Sequence, residues 1–434
     1  MKSSIIEKTE NKKGYKKTKL GWIPEDWEMV RFNELFNEVV NLSNDTETYP
    51  LYSLTLENGV TPKTERYERS HLLKDKEENE FKLISQGEIA INPMNLRFGA
   101  FFMSKVPQTV SLSAYYDIVK AKNDTVNTIF YDAFMKSTPA RRLYQRIATG
   151  SLDEKKRVHL SELNKQLVPY PKKEEQEKIA EILSAWDDGI ETLEKLIEQK
   201  EVFHKALMKN LLVGKKRLAG FSKNSEYKRT RLGQIPADWQ IKPLKLLFDK
   251  RMQKYSGNTE HNIFTNSATK GVVLQNEYFD RSIVTEENTS NYYVVGENDF
   301  MYNPRISQSA PAGPINRNKL GITGIASPLY TIFKAKHDTI VDFYEQYFSS
   351  NLWNNSMFMV ANQGARHDRL NITSNDFMNM PLPYPPIEEQ EKIATVLIES
   401  YKEIQILNSK LEKLKVQKKG LMQKLLTGQI RVKV

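Results

Sequence analysis

The chain contains an internal duplication, and this duplication constrains its fold more than any other feature. The segment LGWIPEDWEMVRFNELF begins at Leu20 and returns as LGQIPADWQIKPLKLLF from Leu232. A second pair follows, with PYPKKEEQEKIAEIL from Pro169 and PYPPIEEQEKIATVL from Pro383. The segments between these matched ends barely resemble each other. The sequence therefore predicts a repeat architecture of the form A–B–A′–B′, with similar B units and divergent A units.

The two B units have the pattern of long helices, predicted over 172–214 and 386–428. Both open with several glutamates, which are favourable at the positive end of a helix dipole. Both close on a matched segment, LMKNLLVGKKRL and LMQKLLTGQIRV, in which a glycine follows the last apolar residues as a C-terminal cap should. Between these ends, apolar residues recur in the 4-3 pattern of a coiled coil. The predicted seam residues are Leu183, Trp186, Ile190, Leu193, Ile197, Leu207, Leu211, Leu397, Ile404, Leu407, Leu411, Leu414, Leu421 and Leu425.

An exposed apolar seam needs a partner. The simplest partner is the other B helix, packed antiparallel; the alternative is that each helix forms a separate homodimeric coil. Polar residues interrupt the seam at Lys200, His204, Ser400 and Lys418. We interpret His204 as a tolerated seam residue rather than a metal ligand, because no second histidine lies one turn away.

The two A units mix short apolar runs with Asn, Gly, Pro and Ser turns and with helical stretches, which indicates compact α+β domains. The predicted fold is two tandem α+β domains separated by two long helices packed as an antiparallel coiled coil, with pseudo-twofold symmetry. The predicted order is a basic N-terminal segment (1–19), the first A domain (20–171), the central helix (172–214), a linker (215–231), the second A domain (232–385), the C-terminal helix (386–428) and a tail (429–434).

Charge and composition narrow the class of partner. The 434 residues carry a formal net charge of +10, an excess that favours a polyanion such as nucleic acid. The absence of cysteine excludes disulfides and thiolate metal sites, and it fits the reducing cytoplasm. No stretch approaches the ~18 consecutive apolar residues of a membrane span. We therefore expect a cytoplasmic protein with no membrane partner.

Loops in each A unit carry the residue types that DNA recognition needs. Arginine can read guanine, asparagine and glutamine can read adenine, and lysine suits phosphate contacts. The pooled sets are better candidates than any single member, since a lone loop charge is usually only solvated. The candidates are Asn92, Asn95, Arg97, Lys155, Lys156, Arg157 and His159 in the first unit, and Tyr302, Asn303, Arg305, Ser307, Gln308, Arg366, His367, Arg369 and Asn371 in the second.

The motifs of common enzyme chemistries are missing. The chain has no phosphate-binding GxxxxGK[ST] loop, no dinucleotide-binding GxGxxG after a strand and no HExxH metal motif. The Asn-Pro pairs at Asn92 and Asn303 lack the second proline and the aromatic residue of amino-methyltransferase motifs, so we interpret them as turn formers. The sequence predicts no catalytic and no metal-binding residue.

The doubled motifs LGxIPxDW and PYPxxEEQEKIAxxL…LMxxLLxG resemble those of the DNA-specificity subunit of type I restriction-modification systems, across essentially the whole chain. The resemblance implies that each A unit is a target recognition domain for one half of a bipartite, asymmetric site in double-stranded DNA. It implies that the antiparallel helices space these domains and dock two methyltransferase subunits, joined in a full assembly by restriction and translocase subunits.

The resemblance also implies that the partner subunits carry out DNA methylation and, in a full assembly that serves host defence, ATP-dependent translocation and cleavage. S-adenosylmethionine, ATP and magnesium are then expected on partner subunits, with none bound by this non-catalytic chain. The competing hypothesis is a non-enzymatic coiled-coil adaptor whose variable domains bind proteins.

Overall fold

The computed structural model describes residues 13–63, 80–221, 226–257, 261–278, 289, 291–361 and 368–433. The chain divides into two units. Unit 1 comprises Met1–Glu194 together with Lys410–Val434, and unit 2 comprises Lys195–Ser409. Each unit therefore contains one A domain and parts of both long helices. The predicted fold class, with its tandem α+β domains and long helices, is confirmed.

The first half of the chain supplies the strands and helices of unit 1. Its strands are β1 Tyr15–Thr18, β2 Gly21–Pro24, β3 Glu28–Arg31, β4 Phe36–Glu38, β5 Leu42–Ser43, β6 Tyr52–Thr55, β7 Gly59–Pro62, β8 Phe81–Ile84, β9 Ile89–Ile91, β10 Phe101–Met103, β11 Val110–Ser113, β12 Asp117–Ala121 and β13 Leu167–Tyr170. Its helices are α1 Phe32–Leu35, α2 Thr128–Phe134, α3 Thr138–Ile147, α4 Leu160–Asn164 and α5 Lys173–Leu211, the last of which continues into unit 2.

The second half supplies most of unit 2 in a similar order. Its strands are β14 Tyr227–Thr230, β15 Gly233–Pro236, β16 Gln240–Pro243, β17 Phe248–Lys250, β18 Ile263–Ser267, β19 Gly271–Leu274, β20 Tyr293–Val295, β21 Phe300–Tyr302, β22 Ile315–Arg317, β23 Gly324–Ala326, β24 Thr331–Ala335 and β25 Pro381–Tyr384. Its helices are α6 Leu244–Leu247, α7 Gln275–Tyr278, α8 Val341–Ser349, α9 Asn354–Phe358, α10 Ser374–Met378 and α11 Ile387–Leu426, which ends in unit 1.

Each unit has a main sheet of the same topology and a second sheet whose topology differs between the units. The main sheet has the strand order β10-β9-β12-β4 in unit 1 and β22-β21-β24-β17 in unit 2, and it is antiparallel in both. The second sheet is three-stranded in unit 1, in the order β11-β8-β5, and four-stranded in unit 2, in the order β19-β18-β23-β20. Only the unit 2 sheet contains a parallel pair, β18 with β23. The A units therefore differ in the number and direction of the strands in this second sheet.

A buried tyrosine fastens a helix of each A domain to the strand that leads into a long helix. The Tyr131 hydroxyl of α2 donates to the Pro169 carbonyl at 2.9 Å, and the Tyr344 hydroxyl of α8 donates to the Pro383 carbonyl at 3.0 Å. Burial raises the pKa of both tyrosines well above its ordinary value, so each phenol remains a hydrogen-bond donor.

The helices pack antiparallel within each unit. In unit 1 Asp187 of α5 forms an ion pair with Lys418 of α11. Glu194, which comes later on α5, forms an ion pair with Lys415, which comes earlier on α11, so the two helices run in opposite directions. In unit 2 Lys200 pairs with Glu403 at 2.7 Å. The His204 Nδ1 lies 3.2 Å from the Ser400 hydroxyl, in the same antiparallel sense. The polar residues that interrupt the predicted seam are thus paired between the helices.

The predicted seam residues are shielded from solvent, and those near the helix ends pack in the apolar core of their unit, namely Leu183, Leu211, Leu397 and Leu425. Leu193, Ile197, Leu397 and Leu411 are among those that are buried. Every other predicted seam residue is at least half-buried.

A four-residue cluster, here called clamp 1, closes unit 1. The Trp27 indole N–H donates to the buried Glu175 carboxylate at 2.9 Å. Arg431, which follows the end of α11, donates to Glu175 at 2.8 Å and to both oxygens of the Asp26 carboxylate at 2.9 and 2.7 Å. The clamp joins the start of the A domain, the first turn of α5 and the segment beyond α11.

Clamp 2 repeats this arrangement in unit 2 with the roles of the helices exchanged. The Trp239 indole N–H donates to Glu389, in the first turn of α11, at 2.9 Å. Arg217, which follows the end of α5, donates to Glu389 at 2.5 and 2.7 Å and to both oxygens of Asp238 at 2.9 Å. The duplicated opening segment of each A unit therefore supplies the Asp-Trp half of a clamp.

A glycine after each long helix makes room for the clamp. Gly214 and Gly428 have φ angles of 69° and 66°, in the left-handed region that glycine favours. A Cβ at Gly214 would lie 2.5 Å from Pro236, and a Cβ at Gly428 would overlap Pro24. Both glycine carbonyls accept a tyrosine hydroxyl, from Tyr227 at 3.1 Å and from Tyr15 at 2.8 Å.

The three short segments predicted outside the A domains and the long helices all contribute to the units. The basic N-terminal segment (1–19) contains β1, which pairs with β2, and the predicted linker (215–231) contains β14, which pairs with β15. The predicted tail (429–434) contains Arg431 of clamp 1. In the described part of each segment, strand pairing or a clamp contact ties the chain to its unit.

Candidate nucleic-acid interface

In unit 1 the structure brings together two sets of candidates that are far apart in the sequence. We call the segments 92–98 and 152–159 loop pair 1. The Val158 N–H donates to the Pro93 carbonyl at 2.9 Å, and the Arg97 guanidinium donates to the Asp153 carboxylate at 3.2 Å and to its carbonyl at 2.6 Å. These bonds hold the two loops side by side as one surface.

Loop pair 2, residues 303–310 and 368–371, is its counterpart in unit 2. The Leu370 N–H donates to the Pro304 carbonyl at 3.0 Å, and the Ile306 N–H donates to the Asp368 carbonyl at 3.0 Å. Arg305 and Arg369 face each other in an isolated antiparallel bridge. The same pairing of an Asn-Pro loop with a later basic segment therefore occurs in both units.

The asparagine of each Asn-Pro pair forms a turn. The Asn92 carboxamide oxygen accepts the Met94 N–H at 3.1 Å, and the Asn303 carboxamide oxygen accepts the Arg305 N–H at 3.0 Å. The interpretation of these pairs as turn formers is thus confirmed. Asn92 is buried, so it shapes the loop rather than presenting its amide to a ligand.

The remaining candidates differ in how far their side chains reach solvent. Tyr302 belongs to the core: it is 1% exposed, and its ring stacks on Phe377 with centroids 4.7 Å apart, so we leave it out of the proposed interface. Arg366 and His367 lie outside the described residues. Half-buried candidates are Asn95, Arg97, Lys156, Asn303 and Arg369, and exposed candidates are Lys155, Arg157, His159, Arg305, Ser307, Gln308 and Asn371.

Within loop pair 1 the basic side chains divide into two groups. Lys156 lies 3.0 Å from the Asp153 carboxylate, and this hydrogen-bonded contact, followed by the charge of Arg97, lowers the pKa of Asp153. Arg97 and Lys156 are therefore held by Asp153 and stiffen the loop. Lys155 and Arg157 are exposed and available to an anionic ligand.

Two exposed aromatic side chains in unit 1 were not among the sequence candidates. Phe98 is 55% exposed, and the Arg97 guanidinium lies 5.3 Å from the centroid of its ring. Tyr115 is 40% exposed, and the Arg157 guanidinium lies 5.4 Å from the centroid of its ring. An aromatic ring paired with arginine offers stacking as well as hydrogen bonding. Sequence reasoning missed both, because an aromatic side chain indicates burial more readily than exposure.

The described residues show neither a metal centre nor a membrane span. Within the described ranges, no group of three or more His, Asp or Glu side chains is placed to hold a metal ion. No helix in that part of the chain combines the length and the apolar character needed to cross a bilayer.

Comparison with known proteins gives a consistent result. The family model described as the type I restriction modification DNA specificity domain matches residues 24–201 and again 236–416. Two relatives from Methanocaldococcus jannaschii align along most of the chain. The putative type I restriction enzyme MjaX specificity subunit is 24% identical, and the alignment covers 96% of this chain and 97% of that relative. The type I restriction enzyme MjaVIII specificity subunit is 27% identical, covering 95% and 94%.

Among solved structures, the type I restriction-modification system S subunit from M. genitalium superposes with a TM-score of 0.52 at 14% identity, covering 92% of this chain and 96% of its own. At that identity the likeness concerns the fold alone. The double family match spans most of the sequence, and its two parts coincide with the duplicated A–B segments. This chain therefore belongs to the family of type I restriction modification DNA specificity domains and carries two of them.

Proposed function

We propose that this chain is the DNA-specificity subunit of a type I restriction-modification complex, and that each unit reads one half of a bipartite, asymmetric DNA site. One observation carries the proposal. The two units share the same frame, with equivalent clamps, main sheets and loop pairs, yet the exposed residues on the loop pairs differ. A shared frame with different exposed side chains is what two readers of different sequences require.

The exposed residues of the loop pairs suit direct contact with DNA. Arg157 and Arg305 can donate two hydrogen bonds to guanine, and Gln308 and Asn371 have the amide that pairs with adenine. Lys155 suits a phosphate contact, which positions the protein without selecting sequence. The net charge of +10 favours association with DNA.

The long helices are the proposed platform for partner subunits. Within unit 2 they expose large apolar side chains on α5 and α11, namely Val202, Phe203, Tyr401 and Ile406. Apolar groups in water on a helical surface commonly mark a protein interface. We propose that two methyltransferase subunits dock on the helices, joined by restriction and translocase subunits in a full assembly.

Catalysis is proposed to belong entirely to those partners. S-adenosylmethionine, ATP and magnesium would then be bound by partner subunits and not by this chain. The purified chain, incubated with DNA, magnesium and S-adenosylmethionine, is expected to transfer no methyl group and cut no strand. Turnover by the chain alone would contradict this part of the proposal.

The decisive experiment is a map of DNA methylation in the host by single-molecule sequencing, with the gene intact, deleted and restored. We expect one bipartite asymmetric motif to lose its methylation on deletion and to regain it on complementation. Complementation with Arg157→Ala or Arg305→Ala should restore it poorly, whereas Arg229→Ala, an exposed arginine of β14, should restore it fully. An unchanged map in a strain with active methyltransferase would favour the coiled-coil adaptor instead.

A further inference from the structure

Corresponding positions in the two main sheets carry side chains of opposite charge. In unit 1, β4 pairs with β12 so that Glu38 lies opposite Val119. In unit 2, β17 pairs with β24 so that Lys250 lies opposite Phe333. The two sheets have the same strand order, so Glu38 and Lys250 occupy the same place in their units.

In unit 1 this place opens into a cleft with a volume of about 340 Å³, here called the unit 1 cleft. It lies next to loop pair 1, and its walls include Glu38, Tyr115, Asp117, Arg157 and His159. The cleft thus combines two carboxylates, which accept hydrogen bonds, with a guanidinium and an imidazole, which can donate them.

The carboxylate of Asp117 lies at the start of β12. It is half-buried, with the Lys82 ammonium 3.8 Å away. Burial raises the pKa of Asp117, and the charge of Lys82 opposes that effect. Arg157 is placed over the Tyr115 ring, so its guanidinium also has a defined position beside the cleft.

The counterparts in unit 2 follow from strand register and loop pairing. Thr331 lies opposite Tyr302 in the main sheet, where Asp117 lies opposite Ile91, so Thr331 replaces Asp117. Leu370 bonds to Pro304 as Val158 bonds to Pro93, so Arg369 and Asn371 replace Arg157 and His159. Unit 2 therefore keeps the arginine and has lysine and threonine in place of both carboxylates.

Base edges in the major groove distinguish these two chemistries. Cytosine N4 and adenine N6 offer amino donors there, whereas guanine offers the acceptors O6 and N7. A carboxylate accepts from the amino groups, and lysine and arginine donate to guanine. Each half-site should therefore carry a base that complements the cleft that reads it.

Resting on the proposed function, we propose that the unit 1 cleft reads a base with a major-groove amino donor, cytosine or adenine, through Glu38 and Asp117. The corresponding surface of unit 2 reads guanine through Lys250 and Arg369. The same place in the fold thus selects opposite hydrogen-bonding edges, and this difference makes the combined site asymmetric.

The test gives each unit the other unit's side chain at this position, in separate single variants of the intact chain. Each variant is co-expressed with the methyltransferase partners, and single-molecule sequencing identifies the methylated motif. Glu38→Lys should lower methylation at wild-type sites by about tenfold or more and change the preferred base at one position of one half. Lys250→Glu should do the same in the other half. Asp117→Asn is nearly isosteric, and it should relax the choice of base in the same half as Glu38→Lys. The wild-type motif shows directly whether the amino donor belongs to cytosine or to adenine.

The controls carry the same charge changes outside these places. Glu47→Lys in unit 1 and Lys245→Glu in unit 2 alter exposed residues, and both should leave the motif unchanged. If the wild-type chain directs a bipartite motif and all three site variants methylate it as efficiently and selectively as the wild type, the inference is overturned while the proposed function stands. The inference would also be overturned if the control variants changed the preferred base at the same position of the DNA motif. If the wild-type chain directs no motif, the proposed function itself fails.

Discussion

At the scale of single residues, the clamps link chain segments that the sequence separates widely. Glu389 is fully buried, and the Arg217 side chain that neutralises it is only 6% exposed. In clamp 1 the Arg431 side chain is 43% exposed, so water screens its contact with Glu175 more strongly. The two clamps have the same contacts, but clamp 2 should contribute more to stability.

Removing each arginine tests this difference. Arg217→Ala should lower the free energy of unfolding by about 3 kcal/mol, because it leaves the Glu389 carboxylate buried without its counter-charge. Arg431→Ala should cost less, about 1.5 kcal/mol: Glu175 is buried, but its arginine is partly exposed, so water can replace part of the lost contact. Urea unfolding gives the two values, and hydrogen exchange with mass spectrometry locates the loss in unit 2 or unit 1. Arg229→Ala, which removes an exposed arginine of β14, is the control and should have little effect. Equal costs for the two clamp variants would contradict the argument from burial.

The aspartates of the clamps predict how stability depends on pH. The hydrogen bond from Arg431 lowers the pKa of Asp26, and that from Arg217 lowers the pKa of Asp238. Because the folded pKa is below the ordinary value of about 3.9, this stabilisation is complete above that pH and is lost as the pH falls through the folded pKa. The double variant Asp26→Asn with Asp238→Asn should therefore lose stability less steeply than the wild type below about pH 4. Unfolding midpoints in urea from pH 5 to pH 3 measure both slopes, and parallel slopes would refute the assignment.

At the scale of the elements, the polar seam contacts between α5 and α11 set the register of the helix pair. An ion pair on the exposed edge of a coiled coil is worth about 0 to 1 kcal/mol, so Lys200 with Glu403 contributes more to register than to stability. His204 differs because it is buried in the seam, where it meets the Ser400 hydroxyl and lies beside the ring of Tyr401. Its polar ring occupies a position that an apolar side chain would fill without desolvating a hydrogen-bonding group.

Replacing this histidine should strengthen the helix pair. Burial lowers the pKa of His204, so the stability of the wild type declines as the pH falls below about 6.5 and the unfolded chain takes up the proton. His204→Leu should raise the free energy of unfolding by about 1 kcal/mol at pH 7 and by more at pH 5. Urea unfolding at both pH values measures the gain. His337→Leu, at a fully exposed histidine, should give no gain at pH 7, and a loss of stability in His204→Leu would show that the Ser400 contact outweighs the desolvation cost.

The elements also show which parts of the fold a sequence can reveal. Leu193 and Leu411 could be assigned to a seam because helical periodicity is local, and their positions depend only on neighbours three and four residues away. Glu175 was interpreted through the helix dipole alone, because its partners Trp27 and Arg431 lie far away in the sequence.

The fold of the A domains is harder to predict from the sequence, because it depends on contacts between residues that are far apart in the chain. The parallel pairing of Ile263 with Ile325 joins strands separated by several others, and strands of three to five residues carry too little alternation to fix their order. Tyr302 illustrates the consequence, because it follows a polar turn and precedes an Asn-Pro pair yet lies in the core.

For the candidate interface, composition identified the two Asn-Pro loops and their basic counterparts, whereas the hydrogen bonds that join these loops could be found only in the folded structure.

At the scale of the whole molecule, unit 1 is discontinuous and unit 2 is continuous. Leu425 and Leu426 lie in the same apolar core as Trp27 and Phe130, although most of the chain separates them. Tyr15 and Arg431 close this unit through Gly428 and Glu175. The first A domain therefore depends on the last residues of α11 and on the segment beyond it, which a folding chain acquires only after unit 2 has been synthesised.

A truncation after Thr427 tests this dependence. It removes Gly428 and Arg431, and with them the contacts that close unit 1, but it leaves every residue of unit 2 in place. Hydrogen exchange should lose protection mainly across 13–194, and 226–361 should keep it. A truncation after Val432 retains Arg431 and should behave as the full chain does. In cells the shorter protein should fail to direct methylation of the bipartite motif, because one reader is unfolded. Protection lost equally in both units, or in neither, would show that the end of the chain does not complete the first recognition unit.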